Sequence, residues 1–176
     1  MSDWKFKTDF RITKDDLVIG HTNPSFGDAF SPIFSPTAIP GQLSSLNWCS
    51  QGTVKLYAAD MTFIGEYGAG QKMLVPDKAH IAMGKVVMVA SSDDVEYYCL
   101  SGVDSFYTGE VMLLSPNQEV SFPLYPTSAI FVSKGSIVRD TKEYPKGFLL
   151  TNKAQKATIS FQAGEAGAII TSFNKV

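Results

Sequence analysis

The chain has 176 residues, of which 44% are hydrophobic and 12% aromatic, which is long and apolar enough to bury a domain core and excludes a disordered segment. Its 15 Lys and Arg against 17 Asp and Glu leave a net charge of -2, and no stretch concentrates the cations that non-specific nucleic-acid binding needs. Only 18% of residues are charged, below the roughly 25% of an average globular protein, so either a partner covers part of the surface or the fold is a β structure rich in Ser, Thr and Gly.

No run reaches the 18 or so apolar residues of a membrane-spanning helix. The N-terminal MSDWKFKTDF lacks the apolar stretch of a signal peptide. A soluble protein made in the cytoplasm is expected. The two cysteines, Cys49 and Cys99, are too few for a secreted disulfide framework. Cys99 lies in a dense apolar run and reads as a small buried hydrophobe. Whether it pairs with Cys49 stays open.

In chain order, Trp4, Phe6, Phe10 and Ile12 alternate with Lys5, Lys7, Asp9 and Arg11, the period-two pattern of a half-buried strand. Leu17–Gly20 predicts a second short strand, and the two make an N-terminal segment over 1–19. Residues 20–52 differ. Four prolines (Pro24, Pro32, Pro36, Pro40) break regular ladders, and Asp28 is the only charged residue between Leu17 and Gln51. Phe26, Phe30, Ile33, Phe34, Ile39, Leu46 and Trp48 recur through it without a period. Such a segment is too aromatic for a solvated linker. It reads as a long irregular arm that lays these seven side chains on its own sheet or on a neighbouring subunit, with a mobile lid as a third option. The seven are the candidate interface residues.

From 53 to 176 short strands follow one another. Val54–Tyr57, Met61–Ile64 and Lys72–Val75 come first. Residues 79–124 then hold four apolar runs, Ile81–Ala90, Val95–Leu100, Val111–Leu114 and Val120–Leu124, parted by Ser-Ser-Asp-Asp, Ser-Gly-Val-Asp and Ser-Pro-Asn-Gln. Turn formers between strand-length runs predict a β-meander here. Ala129–Val132, Ser136–Val138, Gly147–Leu150, Thr158–Phe161 and Ala168–Thr171 complete about a dozen strands at the spacing of a sandwich or barrel. No amphipathic helix of three turns is evident; a short turn near Thr151–Ala157 is the best candidate. The fold class is all-β, a jelly roll or sandwich, in a single domain carrying the N-terminal arm.

Two features bear on the β-domain. Gly84-Lys85-Val86-Val87 and Lys134-Gly135-Ser136-Ile137-Val138 echo each other, as do Thr108–Ser115 and Ala163–Ser172, each with Gly-Glu ahead of an apolar strand. Two such passes would suit a double-wound jelly roll. The run Thr108-Gly109-Glu110-Val111-Met112-Leu113-Leu114-Ser115-Pro116-Asn117 resembles the second cupin motif, and the Gly84…Gly102 spacing is similar to the first; the resemblance covers about Lys72 to Leu124. It implies a jelly roll. It also implies a metal site of two His and a Glu from the first motif and a His from the second. This chain has no His-X-His, and Val120, Ser121 and Phe122 stand where a His should follow Pro116. The resemblance therefore implies a cupin-like fold without the metal, and no metal or other cofactor is expected.

The chain has only His21 and His80. His80 beside Ile81 reads as a surface or satisfied core His. Its alternative role is a general base in a barrel interior, as in metal-free sugar epimerases with this kind of barrel, with Tyr97 or Tyr98 as acid and Asp77 orienting the imidazole. There is no Gly-X-Ser-X-Gly elbow, and Gly65–Gly70 lacks the Lys-Ser/Thr and the helix of a phosphate loop. Asp93, Asp94 and Glu96 read as a solvated hairpin turn rather than a calcium loop.

Residues 72–133 carry three Lys/Arg against seven Asp/Glu, and residues 134–176 the reverse. Opposite-sign halves and a low-charge arm suit a head-to-tail contact between identical subunits. The leading expectation is a non-enzymatic structural protein that self-assembles or docks on a larger assembly, such as a phage head-decoration or tail component of the virion. Its partners would be copies of itself or other structural subunits, with no nucleic acid and no membrane. The alternative is a metal-free cupin-type enzyme or small-ligand, sugar-binding protein using His80 and a Tyr. A third class, a carbohydrate-binding module, would stack sugars on Trp4, Trp48 or a Tyr.

Overall fold

The computed structural model describes residues 8–14, 17–30, 45–58, 60–74, 86–102, 107–126, 128–151, 155 and 157–175. Every helix or strand among them is a strand: β1 (Thr8–Lys14), β2 (Leu17–Thr22), β3 (Ala29–Phe30), β4 (Ser45–Gln51), β5 (Thr53–Ala58), β6 (Phe63–Gly68), β7 (Val86–Ala90), β8 (Glu96–Gly102), β9 (Tyr107–Leu114), β10 (Glu119–Leu124), β11 (Ser128–Arg139), β12 (Lys142–Pro145), β13 (Leu149–Thr151) and β14 (Ala157–Lys175). The all-β class read from the sequence is what the structure has. The chain divides into two compact units, Met1–Tyr107 and Thr108–Val176. Neither of the boundaries read from the sequence, after residues 19 and 52, coincides with that division.

In the first unit two antiparallel sheets, β1-β2-β8-β4 and β3-β7-β5-β6, enclose a core of Phe30, Cys49, Val54, Leu56, Met73, Val86, Met88, Ala90, Val95, Tyr97 and Cys99. β5 shows how the sequence makes this face: Val54, Leu56 and Ala58 point in, while Thr53, Lys55 and Tyr57 are half-buried. Through described residues the chain passes between the sheets at three places, from β2 to β3, from β4 to β5 and from β7 to β8. Those strands are neighbours in the same order in both sheets, so the three passages run side by side along one corner of the unit. The tightest is Gly52, at φ 78, a left-handed conformation. A Cβ there would lie 2.8 Å from both Ser92 Oγ and Val95 Cγ2.

In the second unit a single sheet closes on its own core. β14, 19 residues long, pairs with β10 along its first third and with β11 along most of its length, and β9 also pairs with it. β12 and β13 pair with β11. Register shifts at Val132/Lys134 and Gly135/Ile137 break the β11–β14 ladder. There Gly135 and Gly167, both at positive φ, face each other so closely that a Cβ on Gly135 would strike the Gly167 carbonyl. The break lets the sheet bend, so that Ile130, Val132 and Ile170 on one side share a core with Ile137, Ile159 and Phe161 on the other. The β11–β12 hairpin turns through Asp140 and Thr141, at φ 51 and 65, the paired left-handed geometry of a two-residue turn whose twist matches its strands.

One local expectation is corrected. The runs in 79–124 do not form a meander: β7 lies with β3 and β5, β8 with β2 and β4, and β9 and β10 each pair with β14. Turn formers mark where the chain reverses but not whether it returns in the same sheet or crosses to the facing one. The echoed segments also fail to map onto the two units, since the first copy begins in one unit and ends in the other.

Candidate functional site

The two tyrosines offered as acids sit side by side on β8, whose neighbours on either side are β2 and β4. In register, Thr22, Tyr97 and Cys49 form one cross-strand row and His21, Tyr98 and Trp48 the next. Adjacent rows face opposite ways. Tyr97 enters the core between the sheets, where its hydroxyl donates to Asn47 Oδ1. Tyr98 lies on the other face, stacked between His21 (ring centroids 4.5 Å apart, planes at 13°) and Trp48 (5.6 Å, 12°). Both rings are wholly buried, whereas alternation on an edge of the core would have left one exposed. Burial pushes the Tyr97 hydroxyl well above the usual tyrosine range, and burial first, then the charge of Glu96, raises Tyr98 as well. Opposite faces mean that the two cannot serve one pocket. His80 and Asp77, the other members of that proposed set, lie outside the described residues.

The candidate site is instead at the corner where the three passages meet. Its first wall is the turn after β2. Asn23-Pro24 ends the strand, then Asp28 Oδ2 accepts from the Ser25 amide (3.1 Å) while the Asp28 amide donates to Ser25 O (2.9 Å). The turn is tied to the end of β7 on both sides: Gly27 N donates to Ala90 O at 2.9 Å, and Ala90 N donates to Asp28 O at 3.0 Å. Phe26 stands on this braced turn, 63% exposed. The second wall is the β7–β8 passage with Asp93 and Asp94, anchored below by buried Val95. The third is the end of β4. Gln51 Nε2 donates to Asp94 O (2.7 Å), and Ser50 Oγ donates to Glu96 Oε2 (2.9 Å). Thr53 N to Ser92 Oγ (2.8 Å), Ser91 N to Thr53 O (2.9 Å) and Ser91 Oγ to Thr53 Oγ1 (2.9 Å) lace the passages together. The result is an open cavity of about 620 Å3, lined among the described residues by one exposed ring, two amide side chains and three carboxylates, with no Lys or Arg.

Chemically the corner offers a flat apolar surface beside several hydrogen-bond acceptors on a hydrogen-bonded backbone. Its hydroxyl–carboxylate pair, Ser50 with Glu96, has the hydroxyl buried and outside the cavity lining. Among the described residues no group of three His, Cys, Asp or Glu is placed to hold a metal ion. A second concavity, about 500 Å3, lies in the second unit between β10, β14 and the β11–β12 turn. It is less suited to a ligand: Ser121 and Ser160 hydroxyls hydrogen-bond each other at 2.8 Å, Arg139 sits 3.9 Å from Asp140, and Phe161, which lines it, is buried.

Of the seven arm residues, Phe30, Leu46 and Trp48 are buried, the last completely, and β3 and β4 build them into the sheets of the first unit. Trp48 therefore presents no open face to a sugar. Phe26 alone is exposed, while Ile33, Phe34 and Ile39, with Trp4, lie outside the described residues. Sequence reasoning had Phe26 as an interface residue and the acidic residues as a solvated turn. It missed their meeting, and Gln51 and Asn23 with them. The one local signal was Asn-Pro-Ser-Phe-Gly-Asp, a turn sequence with a large aromatic at its tip.

No family model matches the chain, and no curated protein matches it in sequence. Solved structures share its fold. YhaK from Escherichia coli aligns over 97% of this chain and 93% of its own, with TM-score 0.60 and 11% identity. HutD from Pseudomonas fluorescens SBW25 aligns over 94% and 87%, with TM-score 0.60 and 8% identity. A cupin 2 conserved barrel domain protein from Leptotrichia buccalis aligns over 100% and 92%, with TM-score 0.49 and 10% identity. The fold is the jelly-roll type expected. The expectation of a self-assembling structural or virion component is corrected. The architecture matched along nearly the whole chain is that of YhaK and HutD, and the arm residues on which assembly rested are in part core residues of the first unit. No helix among the described residues is long and apolar enough to cross a membrane.

Proposed function

We propose that this chain is a metal-free, cupin-like binding protein for a small hydroxylated ligand of the sugar class, which it holds in the corner cavity of its first unit. The observation that carries this reading is Phe26, a ring 63% exposed on a turn braced by four backbone and side-chain hydrogen bonds, over a cavity lined by Asn23, Gln51, Asp93, Asp94 and Glu96. An aromatic face takes up the C–H surface of a sugar ring, and carboxylate and amide oxygens accept from its hydroxyls. A rigid acceptor set lowers the ordering cost of binding. The cavity volume falls within the roughly 300–1,000 Å3 of small-molecule sites. Catalysis is not part of the proposal, because Tyr97 and Tyr98 point to opposite faces and neither lines the cavity.

Calorimetric titration of the chain with a panel of monosaccharides and disaccharides tests the reading. At least one is expected to bind, with affinity reduced about tenfold or more in Phe26→Ala, since loss of a stacking ring costs on the order of 1–3 kcal/mol. Binding that is indifferent to Phe26→Ala would place the ligand elsewhere.

A further inference from the structure

The charge of the corner narrows the ligand further, granted that the cavity is a sugar site. Three carboxylates line it, Asp93, Asp94 and Glu96, and Asp28 closes the turn that carries Phe26, while no Lys or Arg is among the described residues that line it. Carboxylates in a surface turn are by themselves no site. Here they line one side of a cavity of about 620 Å3 that already presents an exposed ring. They also do not converge on a point, for no three acidic groups among the described residues are placed to hold a metal ion. A calcium ion needs its oxygens gathered within about 2.6 Å. Carboxylates that line an open cavity without meeting at one point match a larger cation instead.

We propose that the cavity selects a protonated amino sugar, a cationic hydroxylated ring, over neutral and acidic sugars. The sugar's apolar face packs on Phe26. Its ammonium group donates hydrogen bonds to Asp93, Asp94 or Glu96 and is drawn to the same negative potential. A uronic acid or a sugar phosphate would bring a like charge towards these carboxylates, with no Lys or Arg among the described lining residues to meet it, which excludes it.

The test uses the full chain, titrated with glucosamine, N-acetylglucosamine, glucose and glucuronate at slightly acid pH and low salt, read by ligand and protein NMR. Glucosamine is expected to bind about tenfold or more tightly than glucose, with the preference shrinking as salt is raised. N-acetylglucosamine, which keeps the ring but loses the charge, should bind like glucose, and glucuronate should not bind. Asp93→Asn with Asp94→Asn should bring the ratio of glucosamine to glucose affinity towards one and remove its salt dependence; the N-acetylated sugar makes the same comparison without altering the protein. Equal affinity for glucosamine and glucose overturns the charge selection while leaving the sugar site standing. Failure of all four sugars to bind overturns both.

Discussion

At the scale of single residues, burial decides most of the chemistry. Cys49 and Cys99 are both buried and unbridged. They stand on neighbouring strands two rows apart on the same face, Cys49 opposite Tyr97 and Cys99 opposite Asn47. Such diagonal positions are about 7–8 Å apart, beyond the reach of a disulfide without backbone movement. Burial pushes the Cys49 thiol from the usual 9.0 to about 12. Between those values the unfolded chain has lost the proton and the folded chain has kept it, so the unfolded state binds fewer protons and stability falls as pH rises. Raised Tyr97 and Tyr98 act in the same direction from higher pH. The melting temperature is therefore expected to hold up to about pH 9 and then to decline steadily towards pH 12, more shallowly in Cys49→Ala. A flat profile across that window would contradict the burial assigned to these groups. Neither thiol should react with a thiol reagent until the chain unfolds. Gly52 is the other sensitive position. Gly52→Ala forces a Cβ into Ser92 and Val95 at a φ of 78. It should cost about 1–3 kcal/mol in denaturant unfolding.

At the scale of elements, the row His21–Tyr98–Trp48 couples three strands through stacked rings, and Trp48 is fully buried within it. Trp48→Ala should cost about 3–5 kcal/mol, as truncation of a large buried ring does. Phe26→Ala, on an exposed turn, should change stability by less than about 0.5 kcal/mol. Equal losses from the two would mean that Trp48 does not bridge the sheet. The strands themselves were legible. Alternation gave β1, short strand-length runs gave β5, β7 and β8, and turn formers gave the breaks between them; the runs Thr158–Phe161 and Ala168–Thr171, read as two strands, are parts of the single β14. Partnership was not legible, because a strand's residues encode which face is buried and not which strand lies beside it. Residues 20–52 show the consequence. Prolines made the segment look irregular, yet Phe30, Leu46 and Trp48 belong to β3 and β4 and are core residues. The bend of β11 against β14 was equally hidden, since it depends on Gly135 and Gly167 meeting across strands 32 residues apart in sequence.

At the scale of the whole molecule, a jelly roll can build a binding site because the fold gathers loops from distant parts of the chain at its corners. In this chain those segments are 23–28, 51–53 and 91–96, far apart in sequence and joined by hydrogen bonds in space. Each looked bland alone, as a proline turn, a lone glutamine and an acidic hairpin, and the site exists only through the order β2-β8-β4 in one sheet and β3-β7-β5 in the other. The central claim is that this corner is where a sugar-class ligand is held. The most direct test is amide NMR mapping of the chain during titration with the tightest-binding sugar found. Shifts are expected to concentrate in the amides of Asn23–Asp28, Gln51–Thr53 and Ser91–Glu96. Shifts confined to the strands of the second unit, or none at any amide, would contradict it.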